Sequence, residues 1–201
     1  VLGMAKPDGS PDMAAVARRN LAQFPDVTVV AAAFEHWQPS DGTFDAVLSA
    51  TAFHWLDPDV RMVKAADLLR PGGSLGIVST HHIAGGTNAF FADAQRCYER
   101  FDPDTPPGMR LTTDDESPEE TAEFEQSARF GPVEFRRYDW QQTYTAHTYL
   151  NLLLTYSGHR AMAPQARSDL FACITHLIED VHNGEVTKQY RTRLATAHKT
   201  A

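Results

Sequence analysis

The chain has 201 residues, 42% of them hydrophobic, enough for a substantial buried core in one α/β domain or two small ones. Eighteen Lys and Arg against 26 Asp and Glu leave a net charge of −8, so no overall basic field draws in phosphate backbones, and neither nucleic acid nor an anionic membrane is an expected partner. The longest apolar stretch, Val27 to Phe34, falls far short of the roughly 18 residues that span a bilayer, and no charged-then-apolar leader opens the chain, so a cytoplasmic protein is expected.

In chain order, Ser10 is a good N-cap, Pro11 suits the first helical position, and Met13, Val16, Ala17 and Leu21 recur at helical spacing, which predicts a helix to about Gln23. Val27 to Ala33 is nearly all apolar and reads as a strand buried on both faces. Asp41-Gly42 makes a turn, Phe44 to Ala50 a strand, and Asp57-Pro58 starts a helix through Val60, Val63, Ala66 and Leu69. Pro71-Gly72-Gly73 stops that helix with a turn in which glycine accepts positive φ, and Ser74 to Ser79 is the next buried strand. A long helical and polar stretch then runs to about Gly131. Seven carboxylates without a Lys or Arg lie between Asp114 and Glu125, where Ser117-Pro118-Glu119-Glu120 reads as a helix start with acids set against the macrodipole. A strand resumes from Val133 to Trp140. Helices follow over about His147 to Gly158 and Pro164 to His182, and Asn183-Gly184 turns into a last strand from Val186 to about Ala195. Alternating strand and helix segments of this kind predict a parallel sheet covered by helices, in a single domain with an inserted helical cap. Cys97 and Cys173 stand far apart and form no C-x-x-C, so two free thiols are expected.

Several catalytic signatures are missing: G-x-x-x-x-G-K-[ST], G-x-G-x-x-G, G-x-S-x-G and H-E-x-x-H. Of the nine histidines, His81 and His82 point apart in an extended segment, while His176 and His182 fall on different helical faces, so no metal site is expected.

DGSPDMAAVARRNL (Asp8 to Leu21), FDAVLSATAFHWLDPD (Phe44 to Asp59) and LLRPGGSLGIVST (Leu68 to Thr80) together resemble the class I S-adenosylmethionine-dependent methyltransferases, most closely the small-molecule branch that includes trans-aconitate-type enzymes. LLLTYSGHRAM (Leu152 to Met162) and YRTRLATAHK (Tyr190 to Lys199) are similar to that branch's C-terminal part. The resemblance implies a Rossmann-like, doubly wound sheet of seven strands in the order 3-2-1-4-5-7-6, strand 7 antiparallel, with S-adenosyl-L-methionine across the carboxyl ends of the strands and S-adenosylhomocysteine as product. Residues 1–80 would be the cofactor-binding half, 87–130 and 146–182 the helical cap over the substrate, and 133–140 and 186–195 the C-terminal strands. The family also carries strand 1 and an acidic-Gly-x-Gly-x-Gly loop about twenty residues before the strand 2 acid. Only seven residues precede Asp8, and without strand 1 its neighbours would stand roughly 9 to 10 Å apart with unpaired ladders, so the native protein is expected to have such a segment before Val1. Val1-Leu2-Gly3-Met4 is then either what remains of strand 2 or a piece of strand 1.

By the same resemblance Asp8 holds the cofactor's ribose hydroxyls, since one carboxylate accepts two hydrogen bonds, or is a turn residue before the Ser10 cap. Ala33 stands where the family has an acid for the adenine amino group, Phe34 where a backbone N–H meets the ring, and Glu35, two residues on and on the same side of an extended segment, either substitutes for that acid or is a solvated loop residue. Ala50, Thr51 and Phe53 belong to the loop beside the methionine portion and adenine edge, with core filling the alternative for Phe53 and, more so, for Trp55. If the acceptor must lose a proton, His54 is the first candidate base, and Tyr156 and His159 reach from the cap; a buried, hydrogen-bonded role is the alternative for each. Methyl transfer to a small organic acceptor is the expected function, with monomer and homodimer both open. Two rivals remain: a non-catalytic scaffold with the same fold, motivated by Ala33 and the missing glycine loop, and an NAD-dependent oxidoreductase, which requires a G-x-G-x-x-G in the missing stretch.

Overall fold

The computed structural model describes residues 2–4, 11–39, 42–108, 111 and 118–200. The elements are β1 (Leu2–Met4), α1 (Pro11–Asn20), β2 (Val29–Ala31), β3 (Phe44–Ala50), α2 (Pro58–Leu68), β4 (Leu69–Ile83), α3 (Asn88–Phe101), α4 (Pro118–Ser127), β5 (Glu134–Thr145), α5 (Ala146–Leu153), α6 (Ser157–Ala161), α7 (Pro164–His176) and β6 (Glu185–His198). They divide between two compact units, one of Val1–Thr80, Ser117–Arg137 and Arg193–Ala201, the other of His81–Glu116 and Tyr138–Thr192.

The fold is mixed α/β, but the described strands make two sheets where one of seven strands is expected. β1 and β2 pair in parallel, and a four-stranded sheet runs β3-β4-β6-β5. β3 and β4 are parallel. β6 is antiparallel to β4: Gly72 N–H donates to the Lys199 carbonyl at 3.1 Å and Thr87 N–H to the Thr187 carbonyl at 2.9 Å, so rising numbers meet falling ones. The expected order contains the same sub-orders, 3-2 and 4-5-7-6. Among the described residues no strand lies hydrogen-bonded between β1 and β3 to join them.

Local chemistry sets most boundaries. Asp57 caps α2 by accepting from Asp59 N–H at 2.9 Å, and Pro58 occupies the first turn, where its missing donor costs nothing. Asn183 and Gly184, both at positive φ, turn the chain into β6. Other expectations need correction. β2 is three residues long and half-buried, because it is paired on one edge only, with β1. α1 buries Ala14 and leaves Met13 and Val16 exposed. β4 begins at Leu69, since Pro71-Gly72-Gly73 is absorbed as a bulge: Phe44 pairs with Leu69, yet Ala46 pairs with Ser74. The last helix stops at His176 and passes into a π-helical turn over Leu177–Val181. Cys97 on α3 and Cys173 on α7 are disulfide-bonded rather than free; the packing of those two helices brings their Cα atoms to 6.1 Å despite 76 residues of separation.

Each unit has its own core. In the first, Phe53, Leu56, Met62, Leu69 and Leu75 pack with Phe124 of α4 and Ala195 of β6. In the second, Phe90 and Ala94 of α3 pack with Tyr149, Leu170, Ile174 and Val186. No described helix is long and apolar enough to cross a membrane.

Candidate functional site

In the first unit the expected cofactor residues follow the carboxyl ends of β2 and β3. Past β2 the chain folds into a turn, with His36 and Trp37 N–H donating to the Ala33 carbonyl at 3.2 and 3.0 Å. Phe34 is half-buried against the core. The Glu35 carboxylate accepts the backbone N–H of Asp57, the cap of α2, at 3.2 Å, so it sits against the positive end of that helix. Ala50 ends β3. Thr51 follows at φ +52°, a left-handed conformation costly for a β-branched residue, and its N–H is tied to the Val78 carbonyl at 2.8 Å. Phe53 fills the core with 6% exposure beneath the Arg61 guanidinium, while Trp55 is 60% exposed, which reverses the weighting of the two aromatics. His54 is exposed, its ring 4.8 Å from that of Trp55. Asp8 lies outside the described residues.

The second unit holds a cavity of about 650 Å³, within the usual range for small-molecule sites. Tyr156 and His159 both line it, their rings 5.8 Å apart. His54, the other candidate base, is in the first unit. The Tyr98 hydroxyl lies 2.8 Å from His159 Nε2. Burial raises the Tyr98 pKa, with Tyr156 and Asp102 adding to it; burial also lowers that of His159, against a smaller raising effect of Asp102. Both shifts favour the neutral forms, so the pair is a phenol hydrogen-bonded to a neutral imidazole, and in the tautomer with its proton on Nδ1 the phenol is the donor. Asp102, on the same cavity, accepts from Thr105 Oγ1 at 3.0 Å.

Lys188 projects from β6 into this cavity at 5% exposure, with its Nζ 5.2, 5.9 and 6.0 Å from the ring centres of Tyr190, Tyr156 and Tyr149. Burial pushes its pKa down to about 8. His82 packs edge-on to Phe91 with ring centres 4.4 Å apart; burial, then the Lys188 charge, hold its pKa down to about 4. Tyr98, Lys188 and His82 were not singled out as site residues from sequence. For Lys188 a signal exists: Val186, Lys188 and Tyr190 share one strand face by period two, and an apolar, basic, aromatic face marks a cation drawn inward. Tyr98 carries no such mark, because its partner His159 is 61 residues away. Among the described residues no group of three His, Cys, Asp or Glu could hold a metal.

Residues 6–73 match the family model of the methyltransferase domain. Uncharacterized methyltransferases of Mycobacterium bovis and Mycobacterium tuberculosis are 39% identical over 71 residues, which is 35% of this chain; the match spans 28% of those relatives' length. A solved structure of a Bacillus halodurans protein assigned as a methyltransferase matches 96% of this chain and 80% of its own at 18% identity and a TM-score of 0.53. The YcgJ protein of Bacillus subtilis matches 96% and 81% at 16% identity and 0.52. These structures show a shared fold. The sequence matches support the family without singling out the trans-aconitate branch.

Proposed function

We propose that this chain, whose residues 6–73 match the methyltransferase-domain model, moves a methyl group from S-adenosylmethionine to a small organic acceptor. The observation that carries the reading is that the family match contains the two strand ends just described, including the strained Thr51, and such outliers gather at functional sites. The described residues suit the adenosine end of that cofactor. Phe34 offers a ring face, Glu35 a carboxylate acceptor, and the Ala50-Thr51 backbone is held off regular geometry by Val78, with Asp8 assigned to the ribose hydroxyls. When bound, the cofactor supplies a methyl group activated by its sulfonium, leaving the protein to align donor and acceptor.

The cavity of the second unit is assigned to the acceptor, and its Tyr98–His159 pair to the proton the acceptor gives up. That proton passes to the Tyr98 oxygen as the Tyr98 proton moves to His159 Nε2. Asp102, whose charge favours the imidazolium, offsets the cost of the resulting cation. Tyr156 stands beside this pair as a wall of the cavity, and His54, in the first unit, is the alternative base.

A second reading, a scaffold that no longer binds the cofactor, is favoured by one observation: the Glu35 carboxylate is engaged by the cap of α2. Calorimetric titration of the chain with S-adenosylhomocysteine separates the two, with NAD as control and Asp8→Ala alongside. Micromolar binding that the variant loses supports the enzyme and the ribose assignment. A folded protein that binds neither ligand overturns the enzyme in favour of the scaffold, and preference for NAD revives the oxidoreductase.

A further inference from the structure

Lys188 is the most unusual charge among the described residues. An ammonium at 5% exposure is normally paired, because a low-dielectric site strips it of hydration that nothing then replaces. No described carboxylate lies within ion-pair distance of its Nζ, which faces the rings of Tyr149, Tyr156 and Tyr190. Three tyrosine faces recover part of the lost hydration through their quadrupoles, and no more than part. The charge nonetheless reaches across the cavity, since it depresses both His82 and His159. A cationic ligand is excluded, because the aromatic faces that would receive it already surround a cation.

We propose that this cavity binds a small carboxylate with a flat aromatic body, its charge neutralised by Lys188 and its ring stacked among the side chains of Phe91, Tyr98, Tyr149 and Tyr156. As a statement about the methyl acceptor this rests on the preceding reading; as an anion site it stands by itself. A monoanion fits better than a dianion. Among the described residues Lys188 is the one Lys or Arg lining the cavity, so its single charge matches a carboxylate and leaves one charge of a phosphate dianion unmatched, and Asp102, held by Thr105, adds a negative charge that disfavours the dianion further. A carboxylate also matches the short reach of one buried ammonium, whereas phosphate recognition draws on several donors or a guanidinium fork.

The test uses benzoate, benzamide and phenyl phosphate as probes, titrated by calorimetry into the chain and into Lys188→Met, with no cofactor present. Benzoate is expected to bind at least about tenfold more tightly than benzamide or phenyl phosphate, and Lys188→Met to erase the preference over benzamide. Lys188→Met is expected to melt no lower than the parent, because it replaces an unpaired buried charge by an apolar chain of similar length, so lost binding cannot be laid to unfolding. The proposal is overturned if benzamide binds as well as benzoate, if phenyl phosphate binds better, if the variant keeps the preference, or if benzoate fails to bind at millimolar concentration. The S-adenosylhomocysteine titration is read separately. Benzoate binding without cofactor binding sinks the methyl-transfer reading and keeps the anion site, and the converse sinks the anion site alone.

Discussion

Lys188 and His82 line one cavity, and the Lys188 ammonium makes His82 harder to charge. Burial, and then the Lys188 ammonium, hold the His82 imidazole at about 4 against an ordinary value near 6.5; the Tyr190 ring also faces it, 6.0 Å away between centres. The unfolded chain thus takes up a proton that the folded chain refuses between those two values, and stability falls as the pH drops through that window. The expected loss is about 1 kcal/mol after allowing for solvent screening of a partly exposed ring. Melting temperatures at pH 7 and pH 5 check this, and His82→Gln should flatten the difference. A parent and variant with equal slopes would place the acid sensitivity elsewhere. Such pairings are hard to read in advance. His81-His82 was visible as a motif and was set aside for metal binding, but the charge that makes His82 unusual comes from a lysine on the last strand.

At the scale of elements, the β4–α3 connection illustrates how closely the second unit is built. Gly86 lies at φ +61°, and a Cβ there would sit 2.2 Å from the Thr187 carbonyl oxygen on β6. Gly86→Ala therefore forces backbone apart as well as straining φ, and is expected to cost more than about 2 kcal/mol in chemical denaturation. Gly108→Ala is the control: it shares the positive φ but meets no atom within 4 Å, and it should cost markedly less. Gly85-Gly86 was legible as a break in the pattern, yet the reason for it was not, because the contact is with a strand about a hundred residues later. The same distinction applies to Pro71-Gly72-Gly73, which reads as a stop and does end α2, but which the pairing of β3 with β4 then takes up as a bulge inside a longer strand.

At the scale of the molecule, the Cys97–Cys173 bond is the one covalent tie between distant segments, holding α3 to α7 in the core of the second unit. Closing a loop with 76 residues of separation removes about 4 kcal/mol worth of unfolded-state entropy, so reduction or Cys173→Ser should lower the melting temperature by roughly ten degrees or more. An unchanged melting curve under reducing conditions would mean that the bond does not form in solution.

What the sequence determined by itself is local or periodic. Capping at Asp57, the Asn183-Gly184 turn, the limits of β3 and the alternation of strand and helix follow from preferences that act within a few residues, and the matching order of the motifs carried the family resemblance. Tertiary structure decided what depends on meetings between distant segments: Phe53 inside and Trp55 outside, Glu35 against the cap of α2, the disulfide, and the cavity where Tyr98, His159 and Lys188 converge from three elements. The physical reason is that propensity and periodicity are properties of neighbours along the chain. Burial, pairing and pKa depend on neighbours in space, and those are known only once the strands have paired and the helices have packed.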